Sequence, residues 1–184
     1  LTPIVGNPNP DFVMNYINTF TWKNFNLGVQ INHTQGGDIA SSTVATLLGR
    51  GLSTDTVDRE NTFILPGIQQ STGQPNTVQI NNSDYYFSNV LFGPTELRVY
   101  DASVIRLQEL SLGYSFPAKL LERTPLGSLS ITASGQNLWY EAYNMPSGTN
   151  FDPGVALGVG NSRGFEFING PSGKRWGVSV KATF

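Results

Sequence analysis

The sequence predicts an all-β fold of antiparallel strands that cross a membrane and are joined alternately by short turns and long loops. Three observations predict it. Apolar and polar residues alternate along five segments, as in strands whose two faces meet different surroundings. Only 13% of residues are charged, while 11% are aromatic and Gly and Pro number 20 and 11, a composition that favours strands and turns. The connections alternate in length, as in a transmembrane β-barrel.

The alternating segments are the predicted strands, at about residues 11–22, 24–34, 104–116, 126–140 and 173–184. About ten residues suffice for a tilted strand to cross a bilayer. The fifth segment alternates without a break, with apolar residues at Trp176, Val178, Val180, Ala182 and Phe184. The third segment changes phase near Gln108-Glu109, which a β-bulge would explain. The fourth changes phase at Gln136-Asn137.

The connections predict an orientation. Lys23-Asn24 forms a tight turn, and residues 117–125 form a short link with one helical turn at 118–121. The other connections run over about seventy residues (35–103) and about thirty (141–172), so we expect them outside and the short turns in the periplasm. Within the longer loop, residues 41–52 predict a helix capped by Ser and ended by Gly, and residues 78–80 and 97–100 predict short strands.

This orientation predicts two aromatic girdles, one at each surface of a membrane. The inner girdle contains Trp22, Phe25, Phe116 and Phe184. The residues further out are Tyr16, Trp139, Tyr140 and Trp176. The strands and the girdles therefore both predict contact with membrane lipid.

Composition argues against several classes of function. The net charge of −2 indicates no nucleic-acid surface, and the absence of Cys excludes disulfides and thiolate metal sites. His33 is the only His, and no Gly-x-Ser-x-Gly nucleophile motif occurs, so we expect no enzyme, cofactor or metal site. The acidic group Asp55, Asp58 and Glu60 is interpreted as a solvated loop face, with calcium binding as the alternative.

Several strings together resemble the SusC/RagA type of TonB-dependent transporters. They are residues 6–12 (Gly-Asn-Pro-Asn-Pro-Asp-Phe), 22–27 (Trp-Lys-Asn-Phe-Asn-Leu), 35–38 (Gln-Gly-Gly-Asp), 101–107 (Asp-Ala-Ser-Val-Ile-Arg-Leu), 110–117 (Leu-Ser-Leu-Gly-Tyr-Ser-Phe-Pro) and 134–138 (Ser-Gly-Gln-Asn-Leu). They occur in the family's order and cover most of the chain. The resemblance implies the last strands of a 22-stranded barrel with a plugged lumen, in the outer membrane of a Gram-negative, Bacteroidetes-like bacterium. The plug and the TonB-contacting segment, which lie N-terminal in the family, are absent from these 184 residues.

The resemblance also implies a function. Such a transporter imports oligosaccharides or peptides, works with a SusD-like surface lipoprotein and draws energy from TonB. Phe184 is then a recognition signal for the outer-membrane insertion machinery, or simply a girdle aromatic. The substrate, the oligomeric state, and whether the chain belongs to a longer polypeptide or is a separate subunit stay open.

Candidate site residues fall into two groups. Candidates for contact with a glycan or peptide are aromatic residues near amide or carboxylate groups: Asp84, Tyr85, Tyr86, Trp139, Tyr140 and Tyr143. For these, loop packing or lid docking is the alternative. Residues expected to face the lumen are Arg175, Ser179 and Lys181, which line a substrate path or form hydrated wall and plug contacts.

Two alternative functions are considered. An outer-membrane barrel enzyme, such as a protease or lipase, would need a nucleophile and base that the sequence does not indicate. A soluble carbohydrate-binding β-sandwich would have shorter strands and polar outer faces. Solubility without detergent would distinguish the sandwich from barrel strands.

Overall fold

The computed structural model describes residues 4–156 and 160–184 of the chain. The strands are β1 Phe12–Trp22, β2 Phe25–Gln35, β3 Asp38–Ser41, β4 Thr62–Ile64, β5 Gln79–Asn81, β6 Val99–Asp101, β7 Val104–Ser115, β8 Ser128–Glu141, β9 Phe165–Glu166 and β10 Arg175–Thr183. The helices are α1 Ser42–Gly49, α2 Asn82–Asp84, which continues into a π-helix at Tyr85–Leu91, and α3 Ala118–Leu121. Single 3₁₀ turns occupy Thr54–Thr56, Thr95–Arg98, Ser147–Thr149, Pro153–Val155 and Gly160–Ser162. No helix in the described ranges is long and apolar enough to span a membrane.

The chain divides into two units, each with its own contacts. The sheet unit comprises Asp11–Gln35, Ser103–Glu141 and Ser172–Phe184. The described part of the loop unit comprises residues 4–10, 36–102, 142–156 and 160–171. The loop unit is therefore built mostly from the two long connections.

The sheet unit is one antiparallel sheet with strand order β1-β2-β7-β8-β10. Its strands contain 9 to 14 residues, and their ends lie within two residues of the alternating segments. Trp22 pairs with Phe25, so Lys23-Asn24 is a two-residue turn, with Lys23 in the left-handed region at φ 52°. This φ matches the turn to the twist of the two strands.

The phase changes read from the sequence are β-bulges. The register of β7 skips Gln108 against both neighbouring strands. Opposite it on β8, Asn137 has a positive φ of 52°, and pairing resumes at Trp139. The predicted bulge near Gln108-Glu109 is confirmed, and the phase change at Gln136-Asn137 has the same cause.

The loop unit has its own small core. A three-stranded sheet of order β6-β3-β9 pairs β3 antiparallel to β6 and parallel to β9. Helix α1 follows β3 and packs against the π-helix. The buried apolar cluster consists of Ile39, Val44, Ala45, Leu48, Val90, Met145 and Phe151. The helix predicted within residues 41–52 is confirmed, because Ser41 caps it through a bond from the Val44 amide and Gly51 follows it at φ 68°. Strands β3 and β9 and the π-helix were not predicted.

Candidate functional site

One face of the sheet unit is mostly apolar, with Asn18, His33 and Glu141 as exceptions. Residues that pair directly across strands share a face, so the register defines its rows. One row runs through Phe20, Leu27, Leu112, Ala133 and Val178. Leu112 is 51% exposed on a central strand, and Val178 is 75% exposed on an edge strand. This face is therefore a wide apolar surface that nothing in the sheet unit covers.

Aromatic rings line the end of the sheet that carries the tight turn. The Trp22 and Phe25 rings stack with their centroids 6.3 Å apart. The centroid of the Tyr114 ring lies 4.7 Å from that of Phe25 and 5.1 Å from that of Phe116. The predicted inner-girdle residues Trp22, Phe25 and Phe116 thus meet through Tyr114. Phe184, one residue beyond β10, is 93% exposed.

The opposite face of the sheet is mostly polar, with Val13 and Ile17 of β1 as exposed apolar exceptions. Arg175 pairs with Gln136, Ser179 with Thr132, and Lys181 with Ser130. On the neighbouring strands β7 and β2, these rows continue through polar or small residues. Gln136 is followed by Glu109 and Gln30, and Thr132 is followed by Gly113 and Asn26. The Gln136 amide donates to the Glu109 carboxylate at 3.4 Å. The three residues expected to face a lumen therefore share the polar face.

Three of the predicted ligand-contact residues lie together in the loop unit. Asp84 ends α2, and its amide donates to the Asn81 side chain at 2.6 Å. Tyr85 and Tyr86 begin the π-helix, with ring centroids 5.4 Å apart and nearly perpendicular planes. Both tyrosines also pack against the loop-unit core. The two tyrosine rings therefore help to build the core of the loop unit. Asp84, in contrast, is exposed.

Tyr86 lines a narrow crevice, too small for a water molecule, together with polar side chains of Thr56, Arg59, Asn82 and Ser83. Burial raises the pKa of the Tyr86 hydroxyl, and the negative charge of Asp55 and the neighbouring Tyr85 raise it further. The Arg59 guanidinium donates to the Arg50 carbonyl at 3.0 Å. The polar groups around this crevice are therefore packed against one another, with no room for a ligand between them.

Two of the remaining ligand-contact candidates, Trp139 and Tyr140, lie on opposite faces of the sheet. Trp139 pairs with Leu107 on the apolar face of the sheet, whereas Tyr140 pairs with Arg106 on the polar face. Neighbouring strand residues point to opposite sides, so Trp139 and Tyr140 cannot line one site. Tyr143 belongs to the loop unit and is 44% exposed.

Sequence reasoning missed a buried carboxylate in the loop unit. Glu166 is 0% exposed and accepts four hydrogen bonds, from the Ser41 hydroxyl, the Thr43 amide, the Thr43 hydroxyl and the Asn169 amide, at 2.6–2.9 Å. Burial alone would raise the pKa of Glu166, but these hydrogen bonds outweigh it and hold the pKa below its ordinary value. The available signal was one acidic residue between Phe165 and Phe167, which alternation places on the opposite side from both rings.

A second ionisable group with a shifted pKa is the half-buried Tyr100 on β6. Burial raises the pKa of its hydroxyl to about 12, and Tyr85 and Tyr86 add to the shift. The three tyrosines therefore belong to one electrostatic neighbourhood in the loop unit.

Asp55 makes a structural contact, whereas Asp58 and Glu60 are exposed. Asp55 accepts hydrogen bonds from the Ser53 hydroxyl at 2.6 Å and from the Gly148 amide at 3.0 Å, which join two parts of the loop unit. Among the residues that the structure describes, no group of three or more His, Cys, Asp or Glu side chains could hold a metal ion.

Comparison with known proteins gives a relative and a fold. No established protein-family profile matches the sequence. TonB-dependent receptor P3 of Formosa agariphila is 31% identical over 135 residues, which cover 73% of this chain and 12% of that receptor. This chain thus spans about an eighth of its curated relative.

Two solved structures share the fold. The RagAB peptide importer in its open-open state matches 96% of this chain and 17% of its own, with a TM-score of 0.59 and 14% identity. The same importer in its closed-closed state matches 97% of this chain and 18% of its own, with a TM-score of 0.55 and 17% identity. Because the receptor of Formosa agariphila is 31% identical over 73% of this chain, the chain belongs to the TonB-dependent receptors.

Proposed function

We propose that this chain supplies the C-terminal strands and two outer loops of a 22-stranded, plugged barrel in the outer membrane of a Gram-negative bacterium. The whole protein imports an oligosaccharide or a peptide nutrient with energy from TonB. A SusD-like surface lipoprotein works with it. The polypeptide itself performs no bond chemistry.

One observation carries this proposal, namely the exposed apolar face of the five-stranded sheet. An apolar surface of this width is unfavourable in water and suits the hydrocarbon of a bilayer. The strands of 9 to 14 residues are long enough to cross it when tilted. A soluble sandwich would bury this face against a second sheet, and the described sheet unit contains one sheet.

The edges of the sheet support a larger barrel. Within the described residues, β1 pairs only with β2 and β10 only with β8. Open strand edges carry unpaired amides and carbonyls, which a bilayer does not tolerate. Further strands of a longer polypeptide would pair with both edges and close the wall.

The two faces and the loops receive separate roles in this proposal. Arg175, Ser179 and Lys181 line the lumen or contact the plug, because charge is expensive on the lipid side. Phe184 serves the outer-membrane insertion machinery. The exposed Asp84 offers polar contacts to substrate on the outer side.

Which face of β10 meets lipid can be tested in the full-length receptor once any Cys outside these 184 residues has been replaced, because these residues contain none. Val178→Cys and Ser179→Cys place a fluorescent label on opposite faces of β10. In vesicles with lipid-borne quenchers, we expect strong quenching at position 178 and weak quenching at position 179. Equal quenching at both positions would contradict a lipid-facing apolar surface.

Transport is tested separately. Cells that contain the full-length receptor should accumulate a labelled oligosaccharide or a labelled peptide, and cells that lack either the receptor or TonB should not. Uptake that persists without TonB would refute the energy source. Uptake of only one substrate class would decide between the two.

A further inference from the structure

A groove runs along β8 on the apolar face of the sheet unit. Its volume is about 340 Å³, and its lining is almost entirely apolar. Sites for small molecules in proteins have volumes of about 300–1,000 Å³. The groove exists because β8 carries two small residues, Ala133 and Gly135, at successive positions of this face. We call this feature the β8 groove.

The two strands beside β8 form the walls of the groove. The large side chains that pair with the two small residues are Leu110 and Leu112 on β7, and Trp176 and Val178 on β10. Large residues therefore flank small ones on both sides. The result is a channel that runs parallel to the strand, and a straight hydrocarbon chain fits a channel of this form.

The outer end of the groove is shaped by close packing at Gly135. A Cβ there would lie 2.9 Å from Cζ3 of Trp176 and 2.7 Å from Cδ2 of Leu138. The Trp176 ring therefore lies against the glycine backbone, which gives that wall of the groove a fixed position. Leu138 supports Gly135 on its other side.

The strand order restricts what can cover the groove. β8 is hydrogen-bonded to β7 on one side and to β10 on the other, so no further strand of the receptor can enter between them. In the proposed barrel the polar face of these strands turns to the lumen, so the groove meets the hydrocarbon of the bilayer. An unfilled groove would lose dispersion contacts along its lining, so a lipid chain fills it.

The position of the groove along the strands selects the leaflet. In the proposed orientation, the start of β10 and the end of β8 lie on the outer side of the membrane. Trp176 is the second residue of β10 and one of the aromatic residues expected in the outer girdle. The β8 groove therefore lies in the outer half of the bilayer, where it meets the chains of outer-leaflet lipid.

A positive charge lies at the outer end of the groove. Lys174 precedes Trp176 by two residues and is exposed. The Gly173 carbonyl accepts a hydrogen bond of 3.3 Å from the Asn137 side chain, which holds this segment beside β8. A Lys near a membrane surface attracts anionic lipid headgroups, and its long stem reaches them from the apolar boundary. Glu141, also on this face, lies at the end of β8 and farther from the groove.

We propose that the β8 groove binds one acyl chain of a lipopolysaccharide, the phosphate-bearing lipid of the outer leaflet, and that Lys174 contacts its headgroup phosphate. This proposal rests on the proposed function, which supplies the membrane and the orientation. Trp176 is a positioning residue in it, because its ring forms the wall that aligns the chain.

The test measures binding of purified lipopolysaccharide to the delipidated full-length receptor in detergent by native mass spectrometry. Ala133→Phe fills the groove, and Ala182→Phe is the matched control, since Ala182 is exposed on the same face and pairs with Leu129 outside the groove. We expect Ala133→Phe to weaken binding about tenfold, because about ten carbon contacts of the chain are lost. The control should change binding less than about twofold.

A second pair of variants tests the charge. Lys174→Gln should weaken binding about fivefold, as loss of one Lys near an anionic lipid does. Lys119→Gln is its control, because Lys119 is exposed on the short connection at the other end of the strands. Equal effects of the two substitutions would refute the headgroup contact.

A series of fillers keeps the test independent of the folding of any one variant. Ala133→Leu occupies less of the groove than Ala133→Phe and should weaken binding less. Because Ala133 is exposed, neither side chain has to enter a packed core. Equal binding by Ala133→Leu, Ala133→Phe and the unsubstituted receptor would refute the groove and leave the proposed function standing.

The other outcomes that overturn the proposal are distinct. Phosphatidylglycerol that binds as tightly as lipopolysaccharide would refute the choice of lipid, and equal weakening by Ala182→Phe would refute the choice of site. Disulfide-linked pairs of an Ala133→Cys receptor in membranes would assign the groove to a second copy of the receptor and refute the lipid. Absence of lipid quenching at position 178 would refute both this proposal and the lipid-facing surface of the proposed function.

Discussion

The Glu166 carboxylate accepts a hydrogen bond of 2.7 Å from the Ser41 hydroxyl, and that hydroxyl in turn accepts one of 3.1 Å from the Val44 amide. The two residues are 125 positions apart in sequence. Ser41 caps α1, so the bond ties the second long connection to the start of a helix in the first. A negative charge at a helix N-terminus is favourable, and the burial of this one is compensated by its donors.

We expect Glu166→Gln to destabilise the loop unit by about 1–3 kcal/mol, because an amide cannot accept at both side-chain atoms and leaves a buried donor without a partner. Hydrogen exchange of the α1 amides in the full-length receptor measures the effect. Glu96→Gln is the matched control on an exposed site, and it should change exchange little. Equal protection of α1 in all three proteins would contradict the role of Glu166.

The same contact predicts a pH dependence. The pKa of Glu166 is lower in the folded loop unit than in the unfolded chain. Its stabilising contribution is therefore complete above the ordinary Glu pKa of about 4.5 and is lost as the pH falls through the lower, folded value. We expect α1 protection to decrease in this acid range, and the decrease to be smaller in Glu166→Gln. A decrease that begins near neutral pH would point to another group.

Tyr100 predicts a loss of stability at alkaline pH. Burial raises the pKa of its hydroxyl from 10.0 to about 12 in the folded state. Its contribution to stability is thus complete below pH 10 and is lost between pH 10 and 12. An ultraviolet titration of tyrosinate, compared between the receptor and its Tyr100→Phe variant, should show one tyrosine missing from the late step. Loss from the step near pH 10 would contradict the burial of this hydroxyl.

Gly93 follows the π-helix and leaves no room for a side chain. A Cβ there would lie 2.3 Å from the Asn89 carbonyl oxygen and 2.7 Å from the Asn89 Cα, and backbone atoms cannot rotate away. Gly93→Ala should therefore cost about 1–3 kcal/mol through local rearrangement of the π-helix. Gly170→Ala is the control, because a Cβ there meets nothing within 4 Å. Hydrogen exchange of residues 85–91 distinguishes the two variants.

The strands of the sheet unit could be predicted because each has two faces in different surroundings, so that apolar and polar residues alternate along the sequence. The bulges were also visible, since Gln108 and Asn137 interrupt that period. The helix α1 was predictable from Ser41, whose side chain prefers to cap a helix.

The rest could not be predicted for physical reasons. Strands β3 and β9 contain four and two residues, and a period cannot be read from so few. Their pairing joins Ser41 to Glu166 across most of the chain. The π-helix at Tyr85–Leu91 has no distinct sequence pattern. For the candidate site, alternation alone separates Trp139 from Tyr140, but the cluster of Tyr85, Tyr86 and Tyr100 depends on long-range packing.

The apolar face makes a final prediction, in which neighbouring residues of β2 serve as test and control. Val29 pairs with Leu110 on the apolar face, and Gln30 pairs with Glu109 on the polar face. Arg at a lipid-facing midplane position costs about 2–4 kcal/mol, so Val29→Arg should lower the denaturant midpoint of the full-length receptor in lipid vesicles. Gln30→Arg places its charge opposite the Glu109 carboxylate and should leave the midpoint nearly unchanged. In detergent micelles, whose thin apolar shell lets a long side chain reach water, the penalty at position 29 should shrink. Equal midpoints for the two variants in vesicles would mean that the apolar face meets protein and not lipid.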